Sequence, residues 1–209
     1  GGAPLCAMAR GKGNREGAQG IMVNAGFMLL LSGAVLTVLG IAFHRPLLYL
    51  FGASEVTYPY ASSYIVIYLI GTLCVMLSLG LNPYINCQGF ARTGMLTVAL
   101  GAAANIVLDP IFIFALHLGV RGAAIATVLS QFLSAAWVVK FLTGKKAELK
   151  LDFRGFQPDW HCIQRITVLG IASFVMSFTD MLVQVACNSM LRGFGGDLYI
   201  SVMTVLNSV

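Results

Sequence analysis

The chain has 209 residues, of which 58% are hydrophobic and only 10% charged, where an ordinary soluble domain carries roughly 25% charge. With a mean hydropathy of +0.84, it has too few charges to build a water-facing surface. A net charge of +5 and a pI near 9.1 would suit nucleic acid, but the cations fall in stretches between long apolar runs. That is the pattern of cytoplasmic loops, so no nucleic-acid partner is expected.

Taken in order, Gly1–Ala9 ends one helix, and complete spans are predicted at Ala25–Phe43, Tyr58–Cys87, Met95–Leu118, Val120–Leu142 and Ile163–Leu191. Leu198–Val209 begins another. Each complete span covers about 28 Å or more, enough for the hydrocarbon core of a bilayer. The chain lacks an initiator Met and stops inside an apolar run, so the remainder of a longer parent polypeptide is expected as its partner, together with the lipid bilayer.

Lys and Arg set the orientation. Alternate loops hold Arg10, Lys12 and Arg15, then Arg92, then Lys140, Lys145, Lys146, Lys150, Arg154 and Arg165, whereas the opposite loops hold only Arg45, Arg121 and Arg192. The first group is expected in the cytoplasm. Its longest member, Thr143–Arg165, mixes Lys, Glu, Asp, Pro and Trp, and reads either as an ordinary long loop or as a linker between two helical bundles. Trp160 and His161 are expected at the headgroup level. The five cysteines (Cys6, Cys74, Cys87, Cys162, Cys187) are odd in number, widely scattered and without metal-ligand spacing, so small apolar packing is their expected role.

An ionisable group inside hydrocarbon is expensive and defaults to a functional hypothesis. Asp109 and Asp180 are the two carboxylates so placed. Asp109 stands near the middle of its predicted span in Asn105-Ile-Val-Leu-Asp109-Pro110. Asn105 lies one turn earlier on the same helix face, and Pro110 is expected to kink the helix and free the carbonyl of Ile106. A carboxylate, an amide and freed backbone oxygens suit a small hard cation or a transferable proton. The plainer alternative makes Asp109 the cap of a half-helix with Pro110 at its first position. The tight turn over Leu118–Arg121 can bring the hydroxyl of Thr127 towards Asp109. Asp180, with Gln184 one turn on, reads equally as a second functional acid or as a buried acid bonded to Thr179 or Gln184.

Gly122 and Ala126 have the spacing of a close helix contact. No P-loop, GxSxG, HExxH or Cys/His cluster is present, and Gly193-Phe194-Gly195-Gly196 reads as a turn. An ion gradient is therefore the expected energy source, and no enzyme activity or cofactor is expected.

The stretch Asn105-Ile-Val-Leu-Asp109-Pro110-Ile-Phe-Ile-Phe, followed by Leu118-Gly-Val-Arg-Gly-Ala-Ala-Ile-Ala-Thr127 and Ser130-Gln131, resembles the multidrug and toxic compound extrusion (MATE) transporters. Supporting matches are Gly11-Lys-Gly-Asn-Arg-Glu16, Leu50-Phe-Gly-Ala-Ser54, Gly89-Phe-Ala-Arg-Thr-Gly-Met95 and Asn188…Leu191…Phe194-Gly-Gly-Asp197. The resemblance implies an all-α, polytopic membrane helix bundle, part of a twelve-helix transporter with two lobes. Residues 1–142 would belong to the first lobe, 143–165 would be the cytoplasmic linker, and 166–209 would start the second lobe. It also implies a multi-pass protein of the plasma (cell inner) membrane that exchanges a proton or Na⁺ for small organic, often cationic, compounds. The ion-coupling set it implies is Asn105, Asp109 and Thr127, the same three holding Na⁺ where Na⁺ is the coupling ion. Tyr64 and Asp180 match less closely, because most members that use the latter position have Glu. A lipid-linked oligosaccharide flippase of related architecture is the alternative; it would be expected to line its cavity with Arg and Lys, and none lies deep in a span.

Overall fold

The computed structural model describes residues 1–153 and 158–207, with side chains through residue 190. Seven α-helices follow one another, with no strand among the described residues: α1 (Gly2–Gly11), α2 (Arg15–Leu50), α3 (Tyr58–Ile70), α4 (Thr72–Cys87), α5 (Ala91–Pro110), α6 (Gly119–Thr143) and α7 (Trp160–Asn207). Four apolar segments are long enough to cross a bilayer by themselves, and the bent pair α3–α4 makes a fifth. Exposed apolar side chains such as Leu36, Val38, Val107 and Met176 run along α2, α5 and α7. Such a surface suits lipid, not water.

Asn14 starts α2 by accepting the Gly17 N–H at 2.8 Å, the side-chain cap that short polar residues provide. The helix reaches well beyond the expected Ala25–Phe43 at both ends, because Pro46 lies in a helix already under way and does not stop it. The predicted single span Tyr58–Cys87 is instead broken at Gly71, where α3 and α4 meet at 57°. Val128 of α6 lies against this break, and a β-carbon on Gly71 would meet its Cγ2 at 2.5 Å. Beside the break, the carbonyl of Leu69 accepts the Thr37 hydroxyl of α2 at 3.1 Å in addition to a backbone N–H.

The helix containing Asp109 begins at Ala91 and ends earlier than expected. After Pro110 the backbone widens into a π-helical turn, Ile111–Ala115, closed by Leu116 N–H donating to the Ile111 carbonyl at 3.0 Å. Pro110 lacks an N–H and cannot close the regular turn. Widening therefore replaces the expected sharp kink. His117 and Gly119 then take positive φ angles of 52° and 54° and reverse the chain into α6; histidine is among the residues that tolerate this region.

The segment after Thr143 packs back onto the helices at the lysine-rich end. Ala147, Leu149 and Leu151 are buried, the last two in a core with Leu5, Met22, Leu81, Ile85 and Leu142. The Leu149 N–H donates to Gln88 Oε1 at 3.0 Å, and the Leu151 N–H donates to the Leu142 carbonyl at 3.0 Å. Arg10 donates to both the Cys87 carbonyl and Glu148. Residues 154–157 of the expected linker, Arg154 among them, lie outside the described residues. One expectation is corrected: a turn was expected at Gly193–Gly196, but the backbone of α7 runs through it as helix, carrying Arg192 with it. Each helical glycine costs about 1 kcal/mol relative to alanine, but α7 packs only on α1 and α2 among the described elements, so no packing gain competes for a turn.

Two outcomes test this architecture in the full-length protein. Gly71→Ala should lower thermal stability by about 1–3 kcal/mol through overpacking, and Val128→Ala in the same chain should restore most of it. Equal losses in the single and double variants would show that the contact at the bend is misplaced. The length of α6 separates Arg121 from Lys145, so cysteines replacing them should be labelled from opposite sides of the membrane by an impermeant thiol reagent.

Candidate functional site

Three polar stripes converge where α4, α5 and α6 meet. On α4 they are Ser78 and Asn82, on α5 Thr97, Gly101 and Asn105, and on α6 Thr127, Ser130, Gln131 and Ser134. Positions three and four apart on a helix share a face, so each stripe aims its polar groups one way. Small residues let the helices approach. Gly101 gives room to the Ser134 hydroxyl, and Ala124 and Ala126 are fully buried. The result is a cavity of about 230 Å³, roomy enough for several waters.

Most of its wall is satisfied internally. Ser78 Oγ donates to Gln131 Oε1 at 2.7 Å, Ser130 Oγ to the Thr127 carbonyl at 2.8 Å, and Ser134 Oγ to the Thr97 carbonyl at 3.2 Å. Asn82 Oδ1 is the exception. It is buried and has no hydrogen-bond partner among the described residues, at a cost of about 1–3 kcal/mol unless a water or ligand donates to it.

Of the residues anticipated from sequence, Asn105 and Thr127 line this cavity together and Asp109 does not. Asp109 lies one turn beyond, half-buried, and its Oδ1 accepts from Asn105 Nδ2 at 3.3 Å, a long contact for an N–H donor. The Thr127 hydroxyl turns back to the Ala123 carbonyl at 2.9 Å instead of reaching Asp109. Nor is Asp109 central in its span, standing about 27 Å from Ala91 but only about 9 Å from Ala115 at 1.5 Å per residue. Tyr64 is outside the cavity, on α3, where its ring stacks on Tyr68 with centroids 6.1 Å apart. Asp180 is exposed on α7, away from α5 and α6, and Thr179 bonds to the Val175 carbonyl at 2.9 Å instead of to Asp180. Ser78, Asn82, Thr97, Gln131 and Ser134 were not anticipated, although their four-residue spacing was available as a signal.

Apolar spans packed around a half-open pocket edged by polar side chains define a polytopic membrane protein. The MatE family profile matches residues 1–111, and the chain belongs to this family, the MATE transporters. The multidrug export protein MepA of Staphylococcus haemolyticus is 28% identical over 166 residues, covering 79% of this chain and 37% of MepA. A FAD transporter of Shewanella oneidensis is 34% identical over 125 residues, covering 57% of this chain and 27% of its own length. Among solved structures, the inward-facing conformation of a multidrug resistance MATE family transporter matches with a TM-score of 0.90 at 27% identity, covering 97% of this chain and 46% of that one. The outward-facing conformation of such a transporter gives 0.85 at the same identity, covering 97% and 45%. The chain thus spans less than half the length of each of these proteins.

Because the Thr127 hydroxyl bonds only to its own helical turn, Thr127→Val should change stability by no more than about 1 kcal/mol. Thermal unfolding of the detergent-solubilised full-length protein checks this. A much larger loss would mean that the hydroxyl holds α6 in place.

Proposed function

We propose that this chain supplies the first lobe, and the opening of the second, of an antiporter that exports hydrophobic or cationic compounds in exchange for a proton or Na⁺. The observation that carries the reading is the double position of Asn105. Its side chain lines the polar cavity and also donates to Asp109. It is therefore the physical link between an acid able to hold a cation and a chamber able to hold a solute.

The mechanism follows from that link. Ionised Asp109 keeps the Asn105 amide turned towards itself by a charge-assisted bond. Protonation removes the charge and releases the amide towards the cavity, where Asn82 Oδ1 is an open acceptor. Na⁺ would compete with the proton for the same carboxylate, with Asn105 and, after rotation away from Ala123, Thr127 supplying further oxygens. A cationic solute can donate to Asn82 Oδ1 while its apolar part packs against Leu79 and Val98 of the wall. The π-helical turn lies directly beside Asp109, and such turns are frequent at functional sites, so loading the carboxylate can act on the backbone there. Cavity and acid thus share one hydrogen-bonded residue. The lysine-rich end, with residues 143–165, is assigned to the cytoplasmic side of the cell inner membrane.

The test is efflux by the full-length protein in vesicles with proton and Na⁺ gradients imposed separately. Asp109→Asn should abolish gradient-driven efflux under both while leaving membrane insertion intact, and Asn105→Ala should give a weaker, ion-dependent loss. Unchanged pumping by a well-expressed Asp109→Asn protein would return Asp109 to a helix-capping role. If Asp180 carries a second coupling ion, Asp180→Asn should alter the Na⁺ dependence while Asp180→Glu retains much activity; unchanged ion dependence in Asp180→Asn would leave it a structural acid.

A further inference from the structure

The face of the α5–α6 pair opposite the polar cavity carries a second depression of different chemistry. An apolar groove of about 640 Å³ runs between the two helices, walled by Leu100, Val107 and Leu108 of α5 and by Leu133 and Trp137 of α6, with alanines forming its floor. From Leu100 to Leu108 it follows α5 for about 12 Å, through the middle of the span, within reach of an acyl chain extended from the lysine-rich end. Leu100, Val107, Leu133 and Trp137 remain exposed along it, and no helix among the described residues covers it.

The groove is not apolar at both ends. Trp137 and Lys140 also belong to an adjoining depression of about 320 Å³ that contains Thr93, Lys145 and Lys146. The three lysines are exposed and none is paired with a carboxylate among the described residues. The nearest acid in sequence, Glu148, is already held by Arg10 at 2.7 Å. Thr93 lies in the first turn of α5, whose N-terminus has Phe90 at the cap position and no side-chain cap. The positive end of the helix dipole therefore adds to the lysines. An indole at the junction of an apolar groove and a charged collar matches the depth at which tryptophan settles in bilayers.

We infer that this composite groove is a binding site for one anionic glycerophospholipid from the leaflet at the lysine-rich end. An acyl chain lies between α5 and α6, and the phosphate is held by Lys140, Lys145 and Lys146 beside the α5 N-terminus. An apolar depression that opens onto a cationic mouth selects an amphiphile with an anionic head over a wholly apolar helix. The unpaired lysines select an anionic over a zwitterionic headgroup. Neither feature depends on the ion-coupling reading of the opposite face.

The full-length protein in nanodiscs of phosphatidylcholine, containing a minor share of phosphatidylglycerol with a photoactivatable acyl chain, provides the test. After irradiation and digestion, label should concentrate on peptides containing Leu100–Leu108 and Leu133–Lys140, and far more strongly than with the matching phosphatidylcholine probe. Replacing Lys140, Lys145 and Lys146 by glutamine should reduce that label by about fivefold per lysine removed. These are exposed positions, so monodisperse, folded protein is expected. Ala136→Phe, which fills the groove floor, should also reduce it while leaving the lysines in place. Equal labelling by the two probes, label spread evenly over all lipid-facing helices, or label that survives either change would each overturn the site.

Discussion

Inside hydrocarbon no water accepts or donates a hydrogen bond, and each backbone group left unpaired costs several kcal/mol. A continuous helix meets this demand on its own, so the informative places in this chain are those where a helix stops being regular. At Gly71 the helix breaks, and the Leu69 carbonyl finds Thr37 on another helix. After Pro110 the missing N–H is accommodated by widening into a π-turn, which keeps the backbone bonded and avoids a sharp bend. At the lysine-rich end, where α6 finishes, Gln88 accepts from Leu149 and the Leu142 carbonyl accepts from Leu151. The break at Gly71 and the end of α6 are thereby tied to partners some distance away in sequence. Together these ties hold the helices in one arrangement, although aliphatic side chains gain little from leaving lipid for one another.

The same demand explains which parts of the structure were legible in the sequence. Spans were readable because the apolar runs are long and the charges between them few, and α6 was placed to within a residue at either end. The bend at Gly71 was not readable. It depends on Val128 occupying the space beside it, a contact between residues 57 positions apart that no local pattern displays. Asp109 was expected near the middle of its span and placed too deep, since the pattern does not show that the helix starts at Ala91. The long segment after Thr143 looked like a linker because it is polar. Three of its residues, Ala147, Leu149 and Leu151, alternate with charged ones and are buried; that alternation was the overlooked signal.

The polar cavity shows a subtler limit. Thr97, Gly101, Asn105 and Asp109 recur every four residues, and a step of four overshoots the helical repeat by about 40°. Over three steps the stripe has turned by about 120°. Thr97 and Asn105 can therefore both face the cavity while Asp109, at the end of the same stripe, has rotated away from it and reaches it only through the Asn105 amide. Sequence spacing correctly put Asn105 and Asp109 together. It could not show that the stripe divides them between two environments, one a chamber shared with α4 and α6 and the other the flank of a π-turn.

Helices α5 and α6 consequently act as a wall with two different sides. On α6, the polar row Thr127–Gln131–Ser134 and the row Leu133–Trp137–Lys140 are turned about 120° from each other, so they flank the contact with α5 on its two sides. Small residues between the helices, Gly101 against Ser134 and Gly122 against the Phe112 carbonyl, leave no compressible layer to absorb movement. Protein interiors packed this tightly transmit strain instead of dissipating it. The polar pocket and the lysine-collared groove thus share one wall, two helices thick, built on small residues.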